Sequence, residues 1–513
     1  MTGGIIQLVA IGPENIFLTM DPQITFFKII YRRHTNFAME AIPQKFTTKL
    51  DFGRKASCTI SKSGDLVSNI WLVLTTPYIP KFTIGGEEDT ITKFAWIRKL
   101  GYGLIKSVEI EIGGQLIDKH YGDWLNIYSE LLGLQYKKID KLIGNIESMY
   151  SFTNGKGQQL LYIPLQFWFN RIDGLALPLV SLIYSEVKIN VEINNISNCY
   201  LINPTHYIEL DDTIVNFEKG EYIEQSIGDS VAKGMFNYFD ITTKRLYYLK
   251  ISRENFLSIQ LTNPTYDDIY GALHTPANYV YRIYGLTSGY YVMPGINKMQ
   301  QVHSHSKLPT LSLQNCFLLV NYIYLDIDER KKLASSEHEY LIEKIYITKK
   351  TIIQNSNATA YIDLIQPVKY FVWVAQYGYL LDTNNNDLFN YTDDYKYDEN
   401  NNLVGNNIIL QETLLFNNQE RLSYRDSLYF SHIQPVTYFN LDNVGINVYS
   451  FSLNPTLYQP SGYCNSSQIS DIDLRLTLNK NIKFNNEVIL RGYGVVYEIL
   501  RIVNGISGIV FSK

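Results

Sequence analysis

The chain has 513 residues, of which 46% are hydrophobic and 19% charged, and its formal net charge is −5. That length exceeds one ordinary core, so two or more packed units are expected, and the composition excludes a disordered chain. A charge so near neutrality supplies no chain-wide basic field, so direct nucleic-acid binding is not expected. The 41 tyrosines and 24 phenylalanines, with many β-branched residues, favour pleated surfaces over helices. Four cysteines (Cys58, Cys199, Cys316, Cys464) stand apart without CxxC spacing, which fits a reducing compartment. The opening residues lack a signal-peptide pattern, and no apolar run approaches the roughly 20 residues that span a bilayer. A soluble, cytosolic β-protein is the expectation.

Residues 21–40 read DPQITFFKIIYRRHTNFAME, a compact apolar run closed by Arg32, Arg33 and His34. Two readings stand: a strand whose basic end is satisfied within the subunit, or a core anchor presenting a basic knuckle to a neighbour. Further on, Val108, Ile110 and Ile112 alternate with Glu109 and Glu111, and Gly113-Gly114 turns the chain into Gln115-Leu116-Ile117. Asp123 opens a helical segment with Trp124, Ile127, Tyr128, Leu131 and Leu132 on one face. Val187, Ile189, Val191 and Ile193 form a second alternating strand. Residues 200–312 carry short tyrosine-rich runs between turn signals and read as an insertion. A short helix is expected from Asp328 to about Ser335. Residues 382–407 are rich in Asn and Asp and predict a long exposed loop. Leu474, Leu476 and Leu478 alternate with Arg475, Thr477 and Asn479 near the end. Period-2 patterning in both halves predicts antiparallel sandwiches or barrels, not a parallel sheet with crossover helices.

Chemistry-bearing motifs are few. His303 and His305 lack a nearby cysteine or carboxylate and read as a solvated loop. Asp326, Asp328 and Glu329 lack calcium-loop spacing and read as acids at a helix start. Gly101-Tyr-Gly103 has no phosphate-loop continuation and reads as a turn. No carboxylate pair is singled out for hydrolysis. Neither an enzyme, a metal site nor a cofactor is expected. Four N-x-S/T sequons occur, at Asn195, Asn357, Asn390 and Asn465, and Asn390 in the acidic loop is the first candidate for a glycan.

Several stretches resemble one family in order along the chain. They include the 21–40 segment, EIEIGGQLIDKHYGDWL at 109–125, PLQFWFN at 164–170, YIYLDIDER at 322–330, HEYLIEK at 338–344, and LRIVNGISG at 500–508. On these the chain resembles the major capsid proteins of nucleocytoplasmic large DNA viruses. The resemblance implies an all-β chain of two consecutive eight-stranded antiparallel jelly rolls, with few short helices and long insertions. It divides the chain into an arm over 1–30, a first jelly roll over 31–327 with the 200–312 insertion, and a second over 328–513. It also implies a homotrimer of pseudo-hexagonal outline that tiles an icosahedral shell. Its partners would be neighbouring capsomers, minor capsid and penton proteins, and internal membrane-associated virion proteins. The protein would reside in the virion after assembly in the host cytoplasm. Arg32, Arg33 and His34 become candidates for an inter-capsomer contact, and both insertions are expected on the virion exterior. A minor or paralogous capsid protein, or a carbohydrate-binding or hydrolytic β-sandwich, are the alternatives.

Overall fold

A computed structural model describes residues 3–13, 19–21, 33–84, 86–132, 139–227, 230–258, 281–305, 308–364, 366–394, 396–397, 403–439, 444–479 and 487–510. Strands β1 (Phe37–Lys45), β2 (Lys55–Thr59), β3 (Leu66–Thr75), β4 (Ile105–Ile112), β5 (Gln115–His120), β6 (Leu160–Pro164), β7 (Leu177–Pro178), β8 (Val187–Ile193) and β9 (Gln314–Leu325) build the first half. They form two antiparallel sheets. One runs β1-β9-β3-β7 with β6 also on β3, and the other runs β2-β8-β4-β5. Ile70, Leu72 and Leu74 of β3 and Leu318 and Val320 of β9 face Ile110, Ile112, Ile189 and Val191 across a single core. Alternation made this legible, because a pleated strand sends every second side chain to the same face. The β4–β5 hairpin turns on Gly113 and Gly114, whose φ values of +60° and +82° exclude a β-branched residue there.

The second half repeats the plan. Strands β10 (His338–Ile347), β11 (Asn357–Tyr361), β12 (Pro367–Tyr377), β13 (Ile409–Phe416), β14 (Gln419–Glu420), β15 (Ile446–Ser450), β16 (Ile472–Leu478) and β17 (Val488–Val503) carry it. One sheet runs β10-β17-β12-β15 and the other β11-β16-β13-β14, with short extra strands added to both. The result is a double jelly roll. The described strands number more than eight per sandwich, because short pieces add to the sheets and Pro164 and Pro178 end two separate strands on β3. Proline donates no ladder hydrogen bond and is confined to such edges.

Four helical elements matter below: α1 (Gly3–Val9), α2 (Gly122–Leu131), α3 (Ile327–Ser335) and α4 (Gln434–Tyr438). Asp326 caps α3 by accepting a hydrogen bond from the Ile327 amide at 2.9 Å. Asp123 is not the cap of α2, where Tyr121 stands. Its carboxylate instead reaches the second half. Gly101-Tyr-Gly103 lies in a short helix over Leu100–Leu104 rather than in a turn.

The junction between the halves is built on α2. Leu125 enters the first core, while Trp124, Ile127, Tyr128 and Leu131 pack on the outer face of the β10-β17-β12-β15 sheet. There they meet Val372, Val374, Val448 and Tyr493, and the Trp124 and Tyr493 rings lie 5.4 Å apart. Charged side chains close the rim. Arg491 donates to Asp123 at 2.8 Å, and the Tyr493 hydroxyl donates to the same oxygen. Arg171 of the first half donates to Glu343 of the second at 3.0 Å, and Lys369 reaches the other Glu343 oxygen at 2.5 Å. Asp118 accepts from the Ile345 amide across the same seam. Burial alone would raise the Asp118 carboxyl, but the adjacent His120 ring, the Ile345 amide and Arg171 hold it below the usual carboxylate range.

Glu412 lies at the centre of the second sandwich and has no cationic partner among the described residues. It is 0% exposed, accepts from the Trp373 indole at 2.6 Å, and its other oxygen has no hydrogen-bond partner among the described residues. Burial pushes its carboxyl up to about 8. The unfolded chain loses this proton near its ordinary value of 4.5, so the stability it carries is full below that pH and is lost as pH rises towards 8. Thermal melts of Glu412→Gln against pH should therefore lose a downward slope of at most about 1.4 kcal/mol per pH unit present in the parent. Equal slopes would refute the assignment. At the junction, Arg171→Leu strips Glu343 of one of its two cations. It should cost about 3 kcal/mol in urea denaturation, the scale for breaking a buried ion pair.

Candidate assembly surfaces

The two ends of the paired sandwiches differ. Loops from both halves and the described part of the insertion gather at one end, where strands between residues 206 and 302 form a seven-stranded antiparallel sheet rather than a loop. Ile208, Ile223, Phe236, Leu246, Tyr248 and Ile283 fill a core of its own. The tyrosine-rich runs were its visible trace, since paired aromatic strands read as short hydrophobic runs. The sheet docks through polar contacts. Asn237 donates to the Ile91 carbonyl at 3.0 Å, and Arg253 pairs with Asp382 at 3.0 Å and Glu487 at 3.2 Å. His303 is half-buried against Tyr247, with ring centroids 5.3 Å apart, and so is less solvated than its motif suggested. Desolvation lowers its affinity for a proton.

The Asn/Asp-rich segment lies at the same end, and its described part is not an exposed loop. Asn385 donates to the Ile251 carbonyl, and Asn386 donates to the carbonyls of Ser197 and Tyr200, both at 2.8 Å. Asn390, the first candidate for a glycan, is 0% exposed. Its amide donates to Asp387 and to the Asp394 carbonyl, and its oxygen accepts from Thr392. A glycan has no access to that nitrogen in the folded chain. Low apolar content signalled exposure, but short amide side chains can fold inward by satisfying backbone groups that lack a ladder. Asn195, Asn357 and Asn465 are exposed, and Asn465 accepts from Ser467 at 2.7 Å.

At the opposite end the chain enters β1. Arg32 lies outside the described residues. Arg33 and His34 are exposed, and His34 makes its contacts locally, with the Thr35 carbonyl at 2.8 Å and the Phe37 ring. Among the described residues Arg33 forms no ion pair. Helix α1 is exposed along its whole length, including Ile5, Ile6, Leu8 and Val9. No described helix is long and apolar enough to cross a membrane, and no described group of three His, Cys, Asp or Glu side chains could hold a metal ion. The residues that join the halves (Arg171, Glu343, Lys369, Arg491) escaped sequence reasoning. Only the apolar stripe of α2 marked their position.

Comparisons with known proteins agree with this architecture. Residues 25–240 match the family described as major capsid protein N-terminus, and residues 329–508 match that of large eukaryotic DNA virus major capsid proteins. The chain is 43% identical to probable capsid protein 4 of Acanthamoeba polyphaga mimivirus and 30% identical to the major capsid protein of Phaeocystis pouchetii virus, covering 100% of each chain in both cases. Its fold is similar to a chain of the PBCV-1 virus capsid, with a TM-score of 0.61 at 22% identity over 95% of this chain and 100% of that one. The Faustovirus major capsid protein gives a TM-score of 0.64 at 13% identity over 96% and 94%. These likenesses show the fold, and the sequence matches place the chain in the family of major capsid proteins of large eukaryotic DNA viruses.

Proposed function

We propose that three copies of this chain form a capsomer of pseudo-hexagonal outline, which tiles the icosahedral shell of a large DNA virus. The observation that carries this reading is the repeated sheet order, β1-β9-β3 in the first half and β10-β17-β12 in the second, held together by one buried junction. One chain thus supplies two similar upright blocks, and three chains supply six. Two rigid double-sheet units suit a structural role, and the chain carries no catalytic step in this reading. The insertion and the inward-folded acidic segment share an end, which fits an outward position for both. The basic knuckle at Arg32, Arg33 and His34 and the arm at the other end fit contacts beneath the shell, with minor capsid, penton or internal membrane-associated virion proteins. Assembly in the host cytoplasm belongs to the same reading. Asn195, Asn357 and Asn465 are the accessible candidates for glycans.

One observation supports a second reading within the class. The relative at 43% identity is capsid protein 4 of mimivirus, while capsid protein 1 of that virus is only 28% identical, so the chain sits nearer to one paralogue than to another. Abundance in purified virions separates a major from a paralogous role.

Sedimentation of the purified chain should give three times the chain mass, and negative-stain images should show six-sided particles. A monomer at micromolar concentration would overturn the capsomer reading. Arg32→Ala combined with Arg33→Ala should leave those trimers intact yet reduce particle yield, and an unchanged yield would remove the knuckle from shell contacts.

A further inference from the structure

The junction between the halves is not completely filled. Beside α2 the two sandwiches leave a cavity of about 160 Å³. The first half supplies Tyr128 of α2 and Arg171 to its wall. The second supplies Glu343 of β10, Tyr370 of β12 and Phe439, just after α4. Ile172 and Leu457 also line it and are 38% and 57% exposed, so they stand at its mouth. A volume of ~150 Å³ in an engineered apolar core is enough to admit one benzene.

One polar group in this wall is left over. The Arg171 side chain is only 8% exposed. Its Nε donates to the Gln166 carbonyl at 2.8 Å and its Nη1 to Glu343 at 3.0 Å, while Nη2 is buried and has no acceptor among the described residues. A donor removed from water in this way costs free energy until something accepts from it. Arg171 and Lys369 share the single Glu343 carboxylate. Asp118 also acts on Arg171, but its oxygens accept from His120 and the Ile345 amide. The unused donor therefore favours an anion over a neutral acceptor. The rest of the wall sets the shape of the guest. Tyr128 lies against the guanidinium at 4.5 Å, and the Tyr370 and Phe439 rings meet edge to face at 5.1 Å. Such flat apolar surfaces suit a ring.

We propose that this cavity binds a small carboxylate carried on a flat apolar ring, with the carboxylate accepting from Arg171 Nη2 and the ring lying among Tyr128, Tyr370 and Phe439. The ligand touches both halves, so its binding tightens their junction and stabilises the folded chain by mass action. Nothing in this step depends on the number of chains in the capsomer.

The test titrates benzoate into the full chain by calorimetry and follows the thermal transition in parallel. One benzoate per chain should bind with a Kd of about 1 mM or tighter, and the transition should rise as benzoate is added. Benzamide keeps the ring without the charge, and acetate keeps the charge without the ring. Each should bind at least about tenfold more weakly, the scale of one hydrogen bond to a charged group. Ile172→Trp fills the mouth and removes no ion pair, so it should abolish the heat while the transition of the free chain is retained. Arg171→Lys leaves a cation beside Glu343 without an Nη2 and should weaken benzoate by about tenfold or more. Absence of saturable heat in the parent would leave the cavity to water and overturn the site. Undiminished binding by Ile172→Trp would place benzoate elsewhere and overturn it equally, and benzamide as tight as benzoate would overturn the carboxylate class.

Discussion

The structure depends on the seating of α2 against the outer face of the second sandwich. Apolar burial supplies the attraction there, and it is non-directional. Direction comes from the rim, where Asp123 meets Arg491 and Arg171 meets Glu343. Each guanidinium is also held from its own side, Arg171 by the Gln166 carbonyl and Arg491 by Gln376, so the pairs set the angle between the halves while the aromatic and aliphatic contacts hold them together. Buried ion pairs contribute little net stability for their desolvation cost, and their more important effect is to specify one arrangement. A block that must meet neighbours at fixed angles needs that property more than it needs extra stability.

The same junction explains how one chain can hold two similar units without fusing them into one core. Each sandwich keeps its own interior, the first around Ile110 and Leu72 and the second around Trp373 and Leu474, and Ile342, Leu500 and Ile502 of the second half extend the first. Polar outer faces, such as that around Glu109, keep other sides of the block hydrated. The described part of the large insertion lies at an end of the block, where strands turn and added chain leaves the core undisturbed.

Much of this was legible in the residues. The alternation at Val108–Ile112, Val187–Ile193 and Leu474–Leu478 marked strands with one buried face, and the structure buries those apolar positions. The stripe of Trp124, Ile127, Tyr128 and Leu131 marked a helix face that had to be covered. What covered it was not legible, since a stripe states a need for burial and not the surface that meets it. Arg171, Glu343 and Arg491 look in sequence like any solvated charges, and their pairing joins residues 172 and 368 positions apart.

The segment around Asn390 separates the two kinds of information most clearly. Composition described it correctly as polar, and polarity usually means exposure. Tertiary structure decided otherwise, because the carbonyls of Ile251, Ser197 and Tyr200 come from distant parts of the chain and accept its amide hydrogens. The sequence by itself determined the strand periodicity, the two-sandwich class and the family, since these follow from local pattern and word order. Only the tertiary structure decided which outward faces are covered, which charges pair and which polar loop turns inward. Each of those outcomes depends on neighbours that folding, rather than chain order, brings within a few ångströms.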